Sequence, residues 1–247
     1  MESQNASENP DRAPGLTIVL PVYNEEGSID RAVRGAVGGA LRVTSDYEIV
    51  VVNDGSRDGT SAILTKLVAE FHPRVRVVDH PTNLGYGVAL RAGFKASRGE
   101  LVFYTDSDNQ FDLQELKGIV PLMADNDVVL GYRVDRQDPW LRKFVSGGFN
   151  WLSSLAFGMA VRDLNCSFKL FKGDIIRALP LDAPDFFIDT ELVARIHRAG
   201  YRYAQLGVRH YPRTAGQSTV RPSDVPRTLV SLVRMWVKLR RTPPSLR

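Results

Sequence analysis

The stretch LTIVLPVYNEEGSIDRAVRGAVGGALRVTSDYEIVVVND, residues 16–54, decides the fold. Its two apolar runs, LTIVLPV (16–22) and YEIVVVND (47–54), are short, rich in β-branched residues and end in polar ones. Between them Ile29, Val33, Ala36, Val37 and Ala40 recur at helical spacing. The stretch therefore reads strand, helix, strand. The rhythm continues outward through RVRVVDH (74–80), ELVFYTD (100–106) and DVVLGYR (127–133). Ile63, Leu64, Leu67, Val68 and Phe71 supply a second helical pattern. Strands alternating with helices imply an α/β fold built on a parallel sheet with right-handed crossovers. Ligands of such sheets gather at the carboxyl ends of the strands. The residues expected there are Tyr23, Asn24 and Glu25, then Asn53 and Asp54, then Asp106 and Asp108, an acidic and aromatic crevice.

After residue 133 the rhythm breaks. PWLRKFVSGGFNWLSSLAFGMAV (139–161) is amphipathic and rich in aromatic residues. SFKLFKG (167–173) follows, then a helix around FFIDTELVARIHRAG (186–200) and a strand YRYAQLGV (201–208). A basic loop, RHYPRTAGQSTVRPS (209–223), leads to a last helix, DVPRTLVSLVRMWVKLRR (224–241). Three parts are expected: a disordered polar tail over 1–14, one folded domain over 15–222, and a basic amphipathic helix with its tail over 223–247.

Composition is that of an ordinary globular protein, with 43% hydrophobic and 24% charged residues in 247. The single cysteine, Cys166, excludes an intrachain disulfide and fits a reducing cytoplasm. The tail lacks the apolar core of a signal peptide, and no apolar run approaches the roughly 18 residues of a membrane span. No repeat is apparent. The net charge of +4 is modest, but basic residues far outnumber acidic ones from Arg195 onward. That asymmetry points to an anionic ligand or surface at this end; no nucleic-acid partner is expected.

FYTDSDNQFD (103–112) sets Asp106, Asp108 and Gln110 at alternate positions. On extended backbone such positions share a face. Three oxygen ligands on one face suit Mg²⁺ or Mn²⁺. Read alone, the segment is equally a solvated turn in which Asp112 caps the next helix. NDGSRDGT (53–60) is similarly a turn that Asp58 can cap. NLGYGVALRAGF (83–94) departs from G-x-G-x-x-G, so Gly85, Ala89 and Gly93 read as small residues that let a helix approach the sheet, with a donor-side contact as the lesser alternative.

Together VLPVYNEEGSI, VVNDGSRDGT, NLGYGVALRAGF, YTDSDNQ, LGYR and FFIDTEL resemble the family-2 glycosyltransferases of GT-A fold. The similarity is to the branch of dolichol-phosphate-mannose and polyprenyl-phosphate-glucose synthases, from about Leu16 to about Thr219. The resemblance implies a Rossmann-like, mostly parallel sheet. Pro21, Tyr23, Glu25 and Asp54 match its nucleotide-sugar pocket, with Pro21 expected to end its strand. Asn53 stands where many relatives have a first Asp. Asp106, Asp108 and Gln110 match its metal site, with Asp106 also on the donor. Arg133 and Arg213 match basic positions around the phosphates. Thr219 replaces a lysine of the family, which leaves the hold on the acceptor phosphate open; Arg221 reads as a surface charge that is available as a substitute.

The implied reaction is inverting transfer from a nucleotide-diphosphate sugar to a polyprenyl phosphate at the cytoplasmic face of a membrane. A hydroxyl acceptor needs a general base, for which Asp189 or Glu191 is available, whereas an ionised phosphate needs none. Asp163 and Lys169 are further candidates facing sugar or acceptor. A non-catalytic nucleotide-sugar-binding module ranks last, since both acids of the D-x-D pattern are present. Leu229, Leu232, Val233, Trp236 and Leu239 beside Arg227, Arg234, Lys238, Arg240 and Arg241 give the last helix the character of a peripheral membrane anchor. The alternative fates of this face are packing on the sheet or a homo-oligomer.

Overall fold

The computed structural model describes residues 15–134, 140–212 and 225–241, with side chains described for these except 140–145, 225–227 and 241. Seven strands form one sheet: β1 (Leu16–Val22), β2 (Tyr47–Asn53), β3 (Val75–Asp79), β4 (Leu101–Tyr104), β5 (Val128–Val134), β6 (Lys169–Lys172) and β7 (Tyr203–Arg209). Their order is β3-β2-β1-β4-β6-β5-β7. Pairing is parallel except on both sides of β6. Helices α1 (Ile29–Leu41), α2 (Thr60–Glu70) and α3 (Tyr86–Ala96) connect the first four strands. A short α4 (Leu116–Ile119) precedes β5, and α5 (Trp140–Phe157), α6 (Gly173–Ala178), α7 (Ile188–Arg198) and α8 (Val225–Arg241) complete the chain.

The strands alternate their side chains between two buried layers, as a sheet covered on both faces requires. Ile18, Leu20, Ile49, Val51 and Phe103 pack with α1, α2 and α4. Val19, Val50, Val52, Val102 and Tyr104 pack with residues of α3, α6, α7 and α8. The chain adds β2 and β3 on one side of β1, then crosses back to place β4 on the other. This reversal of direction opens a crevice at the carboxyl ends of β1 and β4.

Two local expectations change. Pro21 does not end its strand: β1 runs on to Val22, with Pro21 opposite Val52. The Val19 carbonyl accepts from Thr105 N, and by alternation Pro21 turns its missing N–H to the same side. There β4 has already stopped at Tyr104, so no ladder bond is lost. The last helix also divides its apolar set. Leu232, Met235 and Leu239 are buried, whereas Leu229 (40% exposed), Val230 (49%) and Val233 (61%) face outward.

Gly93 shows why α3 approaches the sheet. A Cβ there would lie 2.3 Å from Val19 Cγ1 and 3.1 Å from Val52 Cγ2. Helix propensity alone favours Gly93→Ala by about 1 kcal/mol. Overpacking a rigid, β-branched floor costs about 1–3 kcal/mol. The expected outcome is net destabilisation of Gly93→Ala, read as a lower urea midpoint at unchanged m; a raised midpoint would refute the close packing.

Candidate active site

The crevice begins with two interlaced loops. Asn24, at φ 53°, accepts from Arg57 N at 2.8 Å, and its own N–H donates to Ser56 Oγ at 3.0 Å. Glu26 accepts from Gly59 N at 2.7 Å. Asp58 accepts from Thr60 N and Glu26 N, so it opens α2 and ties the two loops at once. Glu25 donates its N–H to Thr60 Oγ1 at 2.9 Å, while its carboxylate accepts from the Ser28 hydroxyl and its carbonyl from Ile29 N. Tyr23 lies half-buried at the rim, just beyond β1.

Asp54 is buried at the end of β2. One oxygen meets His80 Nδ1 at 2.7 Å and Leu84 N at 3.0 Å; the other accepts from Gly85 N at 2.9 Å. Its carboxylate thus holds the glycine loop in place. Asn53 donates to Asp79 at 2.8 Å and to Ser61, a role that a second Asp could not fill.

The reading of Asp106, Asp108 and Gln110 as alternate residues of an extended strand end is corrected. β4 stops at Tyr104, and the following backbone bends, with Asn109 in the left-handed region at φ 61°. A local turn wins, because Asp108 Oδ1 accepts from Gln110 N at 3.1 Å. Gln110 is drawn toward β7: its amide donates to the Tyr211 carbonyl at 3.0 Å and its carbonyl accepts from Tyr211 N at 2.9 Å. Asp112 caps the next turn as expected, accepting from Gln114 N.

Asp106 accepts from the Tyr86 hydroxyl at 2.9 Å through Oδ1 and from the Ser167 hydroxyl at 2.6 Å through Oδ2. Burial, then the charge of Asp108 and more weakly that of Asp189, pushes its carboxyl up to about 7 despite these bonds. Two neighbouring carboxylates supply oxygen donors of the kind that a hard divalent cation takes. Among the described residues, no group of three or more His, Cys, Asp or Glu could hold an ion. Two carboxylates nevertheless fit Mg²⁺, which takes one or two from protein and completes its shell with phosphate oxygens and water. Beside Asp106 a cavity of about 680 Å³ runs along α1, lined by Arg31, Arg42, Asn109, Phe111 and Tyr211 among others.

Beneath Asp106 lies a buried polar cluster. Lys169 Nζ contacts Asp189 Oδ1 at 2.6 Å and Tyr104 Oη at 2.9 Å, and donates to the Cys166 carbonyl. The Tyr104 hydroxyl donates to the same Asp189 oxygen. Lys169 is fully buried, so it serves Asp189 rather than the crevice. Glu191, also fully buried, accepts from Asp182 N, Ala183 N and Arg195 Nε within 2.9 Å. Arg133 and Asp163, read as separate candidates, meet in a bidentate pair at 2.7 and 2.9 Å. Arg213, Thr219 and Arg221 lie outside the described residues.

Three contributors escaped sequence reasoning: His80 on Asp54, and Tyr86 and Ser167 on Asp106. Tyr86 stood in a motif read first as packing, with a donor-side contact second; His80 and Ser167 end or begin apolar runs and carry no pattern of their own.

The topology and an acidic crevice at the strand reversal define a GT-A sugar-transferase architecture. A family model, "Glycosyl transferase family 2", matches residues 17–183, and the chain belongs to that family. It is 35% identical over 66% of its length to an undecaprenyl-phosphate 4-deoxy-4-formamido-L-arabinose transferase of Sodalis glossinidius, of which it spans 51%. It is 27% identical over 97% of its length to a dodecaprenyl-phosphate galacturonate synthase of Rhizobium johnstonii, of which it spans 72%. Glucosyl-3-phosphoglycerate synthase of Mycobacterium tuberculosis, solved with Mn²⁺, UDP-glucose and phosphoglyceric acid, superposes with a TM-score of 0.69 at 18% identity. That match covers 91% of this chain and 80% of the synthase, and bears on the fold.

Removing one partner from a buried ion pair strands the other charge, at about 3–5 kcal/mol. Lys169→Ala is therefore expected to lower stability by roughly that amount, measured by denaturant unfolding. A loss below about 1 kcal/mol, the level of exposed pairs, would mean that solvent reaches Asp189.

Proposed function

We propose that this chain transfers a sugar, with inversion, from a nucleotide-diphosphate sugar to a polyprenyl phosphate, using Mg²⁺ or Mn²⁺ held by Asp106 and Asp108. The observation that carries the acceptor assignment is the engagement of both alternative bases. Asp189 is bound by Lys169 and Tyr104, and Glu191 by Arg195 and two backbone amides. A hydroxyl acceptor would need one of them to take its proton, whereas a phosphate monoester arrives ionised. The two polyprenyl-phosphate relatives support the same choice.

Pro21, Tyr23, Glu25 and Asp54 form the nucleotide side of the crevice, and the laced loops around Asn24 and Asp58 keep its rim in place. Asp106 and Asp108 would hold the cation, while Gln110 is turned to Tyr211; bound there, the ion would offset the charge that grows on the leaving diphosphate. Arg133, held by Asp163, and Arg213 are assigned to the phosphates. The acceptor oxygen attacks the anomeric carbon as the bond from that carbon to the diphosphate oxygen breaks. Nucleoside diphosphate departs and a sugar–phosphate–lipid remains.

The acceptor's chains reside in a bilayer, and α5 and α8, which pack together, are placed at its surface. Trp151 (67% exposed) and Leu155 (66%) lie one turn apart on α5, as Leu229 and Val233 do on α8. Exposed Arg234 and Arg240, the latter stacked 3.8 Å over Trp236, supply positive charge for anionic headgroups, while Lys238 pairs with Asp182. No described helix is long and apolar enough to cross a membrane.

Two measurements test the proposal. With a panel of labelled nucleotide sugars and a short polyprenyl phosphate, wild type should form lipid-linked sugar. Chelation should abolish it and Mg²⁺ or Mn²⁺ restore it, and Asp108→Ala should lose it while remaining folded. Turnover by Asp108→Ala, or indifference to chelation, removes the metal from the mechanism; transfer to hydroxyls alone removes the phosphate acceptor. In flotation with anionic vesicles, Trp151→Ala combined with Val233→Ser should lower association on the order of tenfold, from the loss of several buried carbons at roughly 0.8 kcal/mol each. Unchanged flotation would detach this face from the membrane.

A further inference from the structure

Three consecutive residues hold carboxylates that belong to two different strand ends. The amides of Leu84 and Gly85 bind Asp54, and the hydroxyl of the next residue, Tyr86, binds Asp106 at 2.9 Å. Gly85 makes this possible: its φ of 105° turns the chain between the two contacts, and a Cβ there would lie 2.6 Å from the Pro184 carbonyl. The segment therefore spans the crevice from the β2 side to the β4 side at a fixed length.

Tyr86 is itself held on its far side. Phe186 stacks on its ring, with centroids 4.9 Å apart and planes at 26°. Gly87 N donates to the Pro184 carbonyl at 3.0 Å, so the backbone of α3 is fastened to the same loop that carries Phe186. That loop is anchored in turn by Glu191, which binds the amides of Asp182 and Ala183, and by Arg91, which donates to the Ala183 carbonyl. With ring and backbone both tethered, the phenol hydroxyl has one place to go.

At Asp106 the two oxygens divide their donors, Tyr86 on Oδ1 and Ser167 on Oδ2. One bond to each oxygen orients the carboxylate plane and leaves each oxygen with acceptor capacity for a further partner.

We propose that Tyr86, backed by Phe186, is a positioning residue that aims Asp106 at its cation and ties that carboxylate to Asp54, joining the base side and the metal side of the donor site. The proposal rests on the reading that Asp106 and Asp108 bind a divalent ion. It differs from simple packing in one respect. If Tyr86 only filled space at the start of α3, removing its hydroxyl while keeping its ring would leave ion binding untouched.

The test is a titration of the full chain with Mn²⁺ alone, followed by electron paramagnetic resonance, without nucleotide or acceptor. Tyr86→Phe should raise the Mn²⁺ dissociation constant about five- to twentyfold, as expected for losing a hydrogen bond to a charged group. Phe186→Leu, which keeps apolar bulk but loses the stack, should raise it by a smaller factor. Thermal midpoints of both variants should stay close to wild type. UDP and GDP affinities, measured with and without Mn²⁺, should show a smaller enhancement by the metal in Tyr86→Phe than in wild type. Mn²⁺ affinity within twofold of wild type in Tyr86→Phe overturns the proposal, whatever happens to turnover. If Tyr86→Phe fails to fold, Phe186→Leu decides by the same criterion. Absence of Mn²⁺ binding in wild type itself overturns the underlying metal reading, and the positioning role with it.

Discussion

The buried pair of Lys169 and Asp189 is the constraint on which the site depends. A fully buried ammonium is tolerated only with a charged partner and further acceptors, and here Asp189, Tyr104 and the Cys166 carbonyl meet it. Each partner comes from a different element: Tyr104 ends β4, Lys169 begins β6 and Asp189 opens α7. The cluster therefore fixes the inserted antiparallel strand against the parallel half of the sheet. It does so directly below the carboxylates of the crevice. Asp106 two residues beyond Tyr104 inherits its position from that junction.

A second consequence is electrostatic. Asp106, Asp108 and Asp189 gather at one end of the sheet, and burial together with the charges of Asp108 and Asp189 raises the Asp106 carboxyl. Such an arrangement disfavours an anionic diphosphate in the absence of a cation and accepts one with it. Asp189 itself is taken up by Lys169 and Tyr104.

Most of the scaffold was legible in the chain. Alternating apolar runs and helical stripes placed β1 to β5 and α1 to α3, because burial on both faces of a parallel sheet leaves a dense, recognisable pattern. The turn that Asp58 makes ahead of α2, the cap that Asp112 supplies and the small face of α3 at Gly93 were readable because they are local. The four-residue β6 was less so, since KLFK is too short to show a period or a direction. The apolar stripe of α8 was visible, but not its division into a side buried in the core and a side left open.

The sequence by itself determined the alternation of elements, the family, and the residue types gathered at the strand ends, all of which depend on near neighbours along the chain. The tertiary structure alone decided who meets whom across it. Arg133 found Asp163, Lys169 found Asp189 and Tyr86 found Asp106, over separations of 30, 20 and 20 residues. It also replaced the extended alternation of Asp106, Asp108 and Gln110 with a turn, because an Asp side chain offered the backbone a closer acceptor than any neighbouring strand. Local spacing encodes periodicity. Long-range pairing is set by topology and by the need to satisfy buried charge, and neither is written in any short window of residues.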